Sequence, residues 1–271
     1  MIFRAPASSA NIGPGFDCVG VALELWNELE VTEGEGVVVE GVGAGELPAD
    51  ATNLGVRAYA RLADPAGKHF RFVNRIPLER GLGSSAAAIA LGLVAAAPEA
   101  SASELLPIAL EFEVHGDNLA ATLAGGVTLT WNARLARIAD GLPLVPVAIV
   151  PGTRIRTVLS RDGLPDVVPH ADAATTVGFA AMLGAAAAAG DADLFAAALD
   201  DRLHEPYRPS KVLQAVRQDL PPGARGATLS GSGPSVMVWA DDPAACAESL
   251  RQRFPRCEVV ELAVSPRGAV G

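Results

Sequence analysis

Lysine is nearly absent from this chain, which has two lysines, Lys68 and Lys211, among its 271 residues. Neither completes a G-x-x-x-x-G-K-[ST] motif, so the chain is not a P-loop NTPase. Neither follows the kind of strand that carries the phosphate-pairing lysine of protein kinases, so a protein kinase is not expected. Any phosphate site in this chain therefore has to rely on backbone N–H groups, hydroxyls, arginine and metal.

Cysteine is also scarce, and negative charge outweighs positive charge. The three cysteines, Cys18, Cys246 and Cys257, are scattered and form no C-x-x-C pair. This pattern excludes a disulfide framework and a cysteine-built zinc site, and it fits a reducing cytosol. The net charge of −10 argues against nucleic-acid binding, which needs a basic surface. Because residues 1–6 do not have the pattern of a signal peptide, we expect a cytoplasmic protein.

Long uncharged runs are found at residues 81–98 and 173–190. Both reach about the minimum length of a membrane span. They consist mostly of alanine and glycine with serine or threonine, and such residues insert weakly into lipid. We therefore expect two buried helices and no membrane association.

Half of the residues are apolar, which suffices for one large domain or two modest ones. Hydrophobic periodicity predicts strands mixed with helices. The predicted strands are residues 1–5, 21–31, 37–42, 70–73, 127–131, 145–150, 227–230, 235–240 and 258–264. The predicted helices are residues 53–63, 89–97, 103–114, 117–123, 175–189, 191–204, 211–220 and 243–254. This pattern indicates an α+β fold with a loose boundary within residues 141–152.

Residues 81–88 form the sharpest candidate site, because a glycine-rich turn leads directly into an apolar helix. Glycine lets the backbone approach a ligand closely, and the start of a helix offers unpaired N–H groups to an anion. We expect Ser84 or Ser85 to cap this helix and the other hydroxyl to reach a metal or phosphate. A tight turn that only caps a buried helix is the alternative.

Two further polar loops add to this candidate. The turn at residues 230–235 suits either an anion nest or a simple hairpin. The loop at residues 8–17 offers Asn11 and Asp17 as polar groups, and a plain connection explains it equally well in isolation.

Together the three loops resemble the three signature motifs of the GHMP small-molecule kinase superfamily. They read A-P-A-S-S-A-N-I-G-P-G-F-D at 5–17, P-L-E-R-G-L-G-S-S-A-A at 77–87 and G-A-T-L-S-G-S-G-P-S at 226–235. Within this superfamily the chain resembles the homoserine kinase family most. That closer resemblance rests on E-V-H-G-D-N at 113–118, E-P-Y-R at 205–208 and P-R-G-A at 266–269.

The chain departs from the family pattern in one segment. The family usually has H-P-D-N where this chain has Gly116, and it usually continues N-x-x-P where this chain has residues 118–121 as N-L-A-A. The Gly-Gly turn at residues 125–126 is kept. These departures concern the geometry of the loop more than the reaction.

The resemblance implies a two-domain α+β GHMP kinase fold. Its N-terminal ATP-binding domain would span residues 1–145, and a C-terminal ferredoxin-like sandwich would span residues 146–271. The implied reaction transfers the γ-phosphate of ATP to the side-chain hydroxyl of L-homoserine, a step in threonine biosynthesis. Another GHMP kinase acting on a different alcohol, and a catalytically silent nucleotide-binding relative, are the rival interpretations.

The resemblance also implies a nucleotide site with Mg²⁺. Ser85 and one upstream carboxylate would hold the metal, a hard ion that prefers hydroxyl and carboxylate oxygens. Glu113 is favoured and Glu111 is the alternative. The implied nucleotide contacts are Asn53, Pro77, Leu78, Glu79, Arg80, Gly81, Leu82, Gly83, Ser84, Ser85, Ala86 and Ala87.

The remaining implied residues concern the amino-acid substrate. Asn118 stands where many superfamily members have an aspartate base, and because an amide cannot take up the proton we expect it to orient the attacking hydroxyl. Two arginines, Arg161 and Arg208, would bind the carboxylate of homoserine. The other implied contacts are Asn11, Asp17 and His115, and the first two would share the amino group and the hydroxyl in an order left open. The family expectation for assembly is a homodimer.

Overall fold

The structure is a computed structural model that describes residues 1–154 and 161–271. The strands of its first sheet are β1 (Ile2–Ala10), β2 (Val19–Glu33), β3 (Gly36–Gly41), β4 (Lys68–Asn74), β5 (Val127–Trp131) and β6 (Arg134–Ala139). Their order is β3-β4-β2-β5-β6, and β1 pairs with β2. The 15-residue β2 organises this sheet, because successive parts of it pair with β5, β1 and β4. The β3–β4 pair is parallel and the other pairs are antiparallel.

Helices α1 (Leu54–Tyr59), α2 (Ser84–Ala96), α3 (Ala102–Ala109) and α4 (Gly116–Ala124) accompany the first sheet. Helix α2 is central, as its composition predicts, because Ile89, Leu91 and Leu93 are completely buried. It packs against α1, α4 and the strand β1. Its N-terminus therefore comes to a fixed place beside the end of β1.

The second half of the chain adds helices α5 (His170–Ala189), α6 (Ala192–Ala197), α7 (Lys211–Gln218) and α8 (Pro243–Arg253). Its strands are β7 (Val145–Pro151), β8 (Ala224–Leu229), β9 (Val236–Ala240) and β10 (Cys257–Glu261). They form an antiparallel sheet in the order β10-β7-β9-β8. Helices α7 and α8 connect its strands in the β-α-β-β-α-β pattern, so the predicted ferredoxin-like sandwich is confirmed.

The two faces of the second sheet belong to different cores, as the two-residue period of a strand requires. Val147 and Ile149 of β7 pack with residues of α7 and α8. Ala148 and Val150 point the other way, into a core shared with the first sheet, α5 and α6. The two halves are therefore joined by a continuous apolar cluster rather than by a linker alone.

Helix α5 corrects one expectation, because few of its residues are buried. Buried residues within it are Thr176, Leu183, Ala186 and Ala187. In the described ranges it is the one helix that is long and apolar enough to cross a membrane, and 22% of that apolar stretch is buried, which is weak evidence for a span. An alanine-rich helix loses little by facing water, since each side chain carries a single methyl group. Composition therefore could not predict its burial.

Strand β6 and the segment after α6 also differ from the sequence prediction. Strand β6 was not predicted, since Arg134–Ala139 lacks an apolar face wide enough to separate it from a loop. The predicted helix at 191–204 ends with α6 at Ala197. Beyond it, the buried carboxylate of Asp201 accepts the backbone N–H groups of Leu203, His204 and Glu205. These hydrogen bonds hold a turn where the pattern predicted a continuing helix.

The last ten residues return to the first sheet. Val270 exchanges backbone hydrogen bonds with Arg4, and Ser265 donates to the carbonyl of Ala22. The segment P-R-G-A therefore packs near β1 and α4. The division of the chain at residues 145 and 146 stays a prediction.

Candidate active site

A cleft lies where the loop after β1, the N-terminus of α2, the start of α4 and the loop after β8 come together. All three glycine-rich motifs contribute to it, as does the segment 113–118. The residues that line it are Asn11, Asp17, Pro77, Glu79, Arg80, Gly81, Leu82, Gly83, Ser84, Ser85, Ala86, Glu113, His115, Asp117, Asn118, Arg161, Arg208, Gly231 and Ser232. The structure therefore brings most of the predicted site residues to one place.

The three motif loops are packed directly on one another. The hydroxyl of Ser230 donates to the carbonyl of Gly81 at 2.6 Å and lies 2.8 Å from the hydroxyl of Ser9. The N–H of Gly231 donates to the carbonyl of Ala10 at 2.8 Å. Gly81 has φ +73°, and a Cβ there would lie 2.1 Å from the carbonyl oxygen of Ser230. This glycine is therefore needed for the contact between loops, and not only for the approach of a ligand.

We expect Gly81→Ala to lower the free energy of unfolding by about 2–3 kcal/mol, because it adds left-handed strain and forces two loops apart. The matched control is Gly67→Ala, since Gly67 has φ +71° and nothing within 4 Å of an added Cβ. The control carries the backbone strain alone and should cost about 1 kcal/mol. Urea unfolding of both variants measures the difference, and equal losses would contradict the packing argument.

Helix α2 begins without a side-chain cap. Its N-cap residue is Gly83 in the left-handed conformation, and no side chain within the described residues caps the helix. The expectation that Ser84 or Ser85 caps the helix is therefore wrong, because both serines lie within the first turn and line the cleft. The first-turn N–H groups remain available, and the positive end of the helix faces the cleft.

Arg80 holds the glycine loop against the second sheet. Its guanidinium donates to the carbonyls of Leu78 at 3.0 Å, Pro151 at 2.6 Å and Gly152 at 2.7 Å. These contacts give Arg80 a structural task, although it also lines the cleft. Leu78 and Ala87 are the two residues of the 77–87 motif that do not line the cleft, and both are buried.

Asn53 is not among the residues that line the cleft. Its side chain caps α1 by accepting from the N–H of Gly55 at 3.0 Å, and it donates to the carbonyl of Pro48 at 2.8 Å. Both polar ends of the amide are therefore engaged locally. The structure does not bring Asn53 together with the other predicted nucleotide contacts.

The structure separates the two candidate metal carboxylates. Glu113 lines the cleft, where its carboxylate lies 2.5 Å from Nδ1 of His115. Glu111 points elsewhere and forms an exposed two-point ion pair with Arg61 at 2.7 and 3.0 Å. The hydrogen bond with Glu113 raises the pKa of His115, whose Nε2 is buried without a partner in the described residues. Glu113 is therefore the carboxylate available to a ligand.

The loop after β1 presents Asn11 and Asp17 in strained backbone positions. Both have a positive φ, 57° and 55°, which asparagine and aspartate tolerate better than most residues. The side chain of Asn11 accepts from the N–H of Asp17 at 2.8 Å and so fixes the loop. The carboxylate of Asp17 pairs with the guanidinium of Arg161. Residues 155–160, just before Arg161, lie outside the described residues.

The two arginines stack on one aromatic ring. The guanidinium carbons of Arg161 and Arg208 lie 5.5 and 5.3 Å from the ring centre of Phe16. Arg208 is 7% exposed, and its Nε is buried with no protein partner in the described ranges. An unpaired buried donor of this kind costs free energy until a ligand satisfies it. Arg208 is therefore poised to receive an anion.

Asp117 and Asn118 form the floor of the cleft at the start of α4. The hydroxyl of Ser8 donates to Oδ1 of Asn118 at 2.9 Å, so the amide nitrogen is the atom of Asn118 left for a ligand. Asp117 is 1% exposed. Burial raises the pKa of its carboxyl from 3.8 to about 6, although the backbone N–H of Asn118 acts in the opposite direction. Asp117 lies within the motif E-V-H-G-D-N, but the family resemblance implies no role for it.

We expect Asp117→Asn to stabilise the unliganded protein above pH 6. The folded state holds the proton of Asp117 more tightly than the unfolded state, so stability is lost as pH rises from 3.8 towards 6. Asparagine does not titrate, and the advantage should grow to about 3 kcal/mol at pH 7.5. Urea unfolding at pH 4 and 7.5 measures this, and a difference that does not change with pH would contradict it.

Comparison with known proteins decides the family. Two family models match, "GHMP kinases N terminal domain" over residues 53–126 and "GHMP kinases C terminal" over residues 182–256. Homoserine kinase of Clavibacter michiganensis is 41% identical over 261 residues, covering 89% of this chain and 82% of the relative. Homoserine kinase of Streptomyces coelicolor is 40% identical over 263 residues, covering 88% and 84%. The chain belongs to the homoserine kinase family.

The structural comparison agrees with this membership. A crystal structure of homoserine kinase from Cytophaga hutchinsonii superimposes with a TM-score of 0.86 at 26% identity, covering 99% of this chain and 96% of the other. The two-domain GHMP kinase fold predicted from the motifs is therefore confirmed, as is an ATP-dependent small-molecule kinase. The individual roles of the site residues remain predictions, which the cleft geometry supports to different degrees.

The sequence did not indicate a role for two residues at this homoserine kinase site, Asp117 and Phe16. Its position could have indicated Asp117 as a site residue, because it directly precedes Asn118 within E-V-H-G-D-N. The indication for Phe16 is weaker, since this residue lies inside the first motif but has the pattern of an ordinary apolar core residue. The stacking of two guanidinium groups on its ring depends on Arg161 and Arg208, which are more than 140 residues away in the chain. No pattern in the sequence could predict this arrangement.

Proposed function

We propose that this chain phosphorylates the side-chain hydroxyl of L-homoserine with ATP, giving O-phospho-L-homoserine for threonine biosynthesis. The observation that carries the proposal is the charge pattern of the cleft. Arg161 and Arg208 lie on one side of it with Asp17 and Asp117 close by. Two guanidinium groups beside two carboxylates complement a zwitterionic amino acid, and they do not suit an alcohol that carries no amino group.

The uncapped start of α2 supports the nucleotide side of the proposal. Free N–H groups and the helix dipole can bind phosphate without lysine, and they give an acidic protein a local positive site. A Cβ on Gly83 would lie 2.1 Å from the hydroxyl oxygen of Ser8, and that hydroxyl donates to Asn118, so this helix terminus packs near Asn118. We assign the triphosphate to residues 81–87.

The cleft also fits Mg²⁺ as the partner of ATP. Ser85 and Glu113 line it and offer a hydroxyl and a carboxylate oxygen. No group of three or more acidic, histidine or cysteine side chains able to hold a metal occurs in the described residues. Mg²⁺ commonly takes one or two protein oxygens and completes its shell with phosphates and water, so this small donor set suits it. When bound, Mg²⁺ would neutralise the charge of the transferred phosphoryl group.

Asn118 would orient the nucleophile in this reaction. With its Oδ1 held by Ser8, its amide nitrogen can donate to the hydroxyl oxygen of homoserine. The hydroxyl oxygen attacks the γ-phosphorus, the bond to the β-phosphate oxygen breaks, and the hydroxyl proton passes to a phosphate oxygen. Phosphoryl transfer of this kind depends mainly on positioning and charge stabilisation.

ADP release by the purified protein with MgATP tests the proposal. L-homoserine, L-serine, L-threonine, mevalonate and shikimate would be offered side by side. We expect homoserine-dependent release to exceed that with the other alcohols by orders of magnitude. Turnover of mevalonate or shikimate would refute the assignment of the two arginines, and clear MgATP binding without any turnover would show a silent relative.

Location and assembly complete the proposal. The three cysteines are free thiols, and the reaction consumes ATP. We therefore assign the protein to the cytoplasm. A homodimer remains the family expectation.

A further inference from the structure

His204 lies completely buried between the first motif loop and Arg208. It directly precedes the E-P-Y-R segment, and the motif comparison gave it no role. Its Nε2 lies 3.0 Å from the carbonyl oxygen of Gly13, and its Nδ1 lies 3.1 Å from Nη1 of Arg208. One ring therefore joins the loop that carries Asp17 to an arginine of the cleft.

The partners of the ring determine its protonation state. A carbonyl oxygen can only accept, so Nε2 of His204 carries the proton towards Gly13. A guanidinium can only donate, so Nδ1 must be the bare acceptor for Arg208. Burial lowers the pKa of His204, against the opposing charge of Asp201, and this keeps the ring neutral.

This contact limits how Arg208 can turn. Its Nη1 donates to His204 and lies 3.4 Å from the carbonyl oxygen of Gly231. With Nη1 held from two sides, the buried Nε of Arg208 is left without a protein partner in the described residues. A planar guanidinium held along one edge presents another edge to a carboxylate.

Further contacts hold the backbone and one face of the His204 ring in place. The Asp201 carboxylate accepts the N–H of His204 at 2.8 Å, which fixes the backbone. Phe16 stacks on the imidazole with ring centres 5.2 Å apart, and the same phenyl ring lies against Arg208. These contacts fix the orientation of the His204 ring, and the hydrogen bond to Nδ1 in turn fixes the orientation of the Arg208 guanidinium.

We propose that His204 is a positioning residue that aims the guanidinium of Arg208 at the carboxylate of the amino-acid substrate. The inference rests on the proposed function, because it needs a substrate carboxylate at Arg208. It predicts that the Nδ1 acceptor matters for this substrate, whereas the Nε2 donor matters mainly for holding the loop at Gly13.

Two substitutions of His204 separate the role of Nδ1 from the role of Nε2. In His204→Asn, the side-chain oxygen can replace Nδ1 as acceptor for Arg208, while the donor to Gly13 is lost. In His204→Gln, the amide nitrogen can reach Gly13, while the acceptor is lost. We expect His204→Gln to raise KM for L-homoserine about tenfold with KM for ATP unchanged, and His204→Asn to stay within about threefold of the parent. Equal effects of the two variants would overturn the proposal.

An analogue that lacks the carboxylate gives a second test. L-2-amino-1,4-butanediol keeps the amino group and the reacting hydroxyl of homoserine. If Arg208 acts through the carboxylate, His204→Gln should leave kcat/KM for this diol nearly unchanged. A similar loss of kcat/KM with homoserine and the diol would show a general structural role and overturn the proposal.

The parent protein supplies a measurement that does not depend on how the variants fold. Nitrogen-15 NMR of the histidine rings at pH 7 should show His204 as the neutral tautomer protonated at Nε2. A protonated ring or the Nδ1–H tautomer would overturn the proposal. Failure of the proposed function is distinguishable, since the parent enzyme would then show no homoserine-dependent ADP release.

Discussion

Glu113→Gln is expected to lower kcat at least about 100-fold, the equivalent of about 2.7 kcal/mol of transition-state stabilisation. Glutamine keeps an oxygen that can accept from Nδ1 of His115, so the local hydrogen bond at 2.5 Å can survive. What the substitution removes is the negative charge proposed to bind Mg²⁺. The variant should also need a higher Mg²⁺ concentration for half-maximal rate, measured by titrating the metal at saturating ATP and homoserine.

Glu111→Gln is the matched control for this prediction. Glu111 lies two residues away, and its carboxylate pairs with Arg61 at the surface, where an ion pair contributes little. We expect its kcat and its Mg²⁺ dependence to stay close to those of the parent. If the Glu111 variant lost as much activity as the Glu113 variant, or if Glu113→Gln turned over normally, the assignment of the metal carboxylate would be wrong.

Arg208→Ala is expected to raise KM for homoserine about 10- to 150-fold, because a charge-assisted hydrogen bond to a buried group contributes about 1.5–3 kcal/mol. KM for ATP should change little, since the triphosphate is assigned to the start of α2. Initial rates measured against each substrate at saturation of the other give both values.

Arg202→Ala is the control for loss of an arginine in the same segment. Its guanidinium pairs with Asp200 at the surface at 2.8 Å and does not line the cleft. This variant should keep both KM values. A parallel rise in KM for ATP and homoserine in Arg208→Ala would mean that the arginine supports the cleft as a whole rather than the carboxylate.

Much of the fold could be predicted because hydrophobic periodicity and local turn residues indicate where most of its helices and strands lie. The apolar run of α2 requires burial whatever the tertiary context, and the short apolar runs around Val147 and Val238 are typical of buried strands. The exposure of helix α5 and the existence of strand β6 could not be predicted in the same way. Alanine is compatible with both surface and core, and an edge strand with mixed polarity looks like a loop.

The candidate site was partly predictable for a different reason. Motifs report residues that are close in the chain, such as Glu113 beside His115 and Asn118. They do not report which oxygen or nitrogen each side chain presents. The sequence already favoured Glu113 over Glu111, and the structure adds that Glu113, unlike Glu111, lines the cleft. The uncapped N–H groups of α2, in place of the expected serine cap, depend on where the backbone points each group.

The sequence by itself determined which chemical groups this protein has available to bind phosphate. With two lysines and no P-loop, it limits a phosphate site to helix N–H groups, hydroxyls, arginine and metal, and its motifs give the family. Only the tertiary structure decided which of those groups lie together in one site and in what environment. Burial raised the pKa of Asp117, and packing of distant segments brought Phe16, His204 and Arg208 into contact. Burial and orientation depend on neighbours that are remote in the chain, so they arise only when the chain folds.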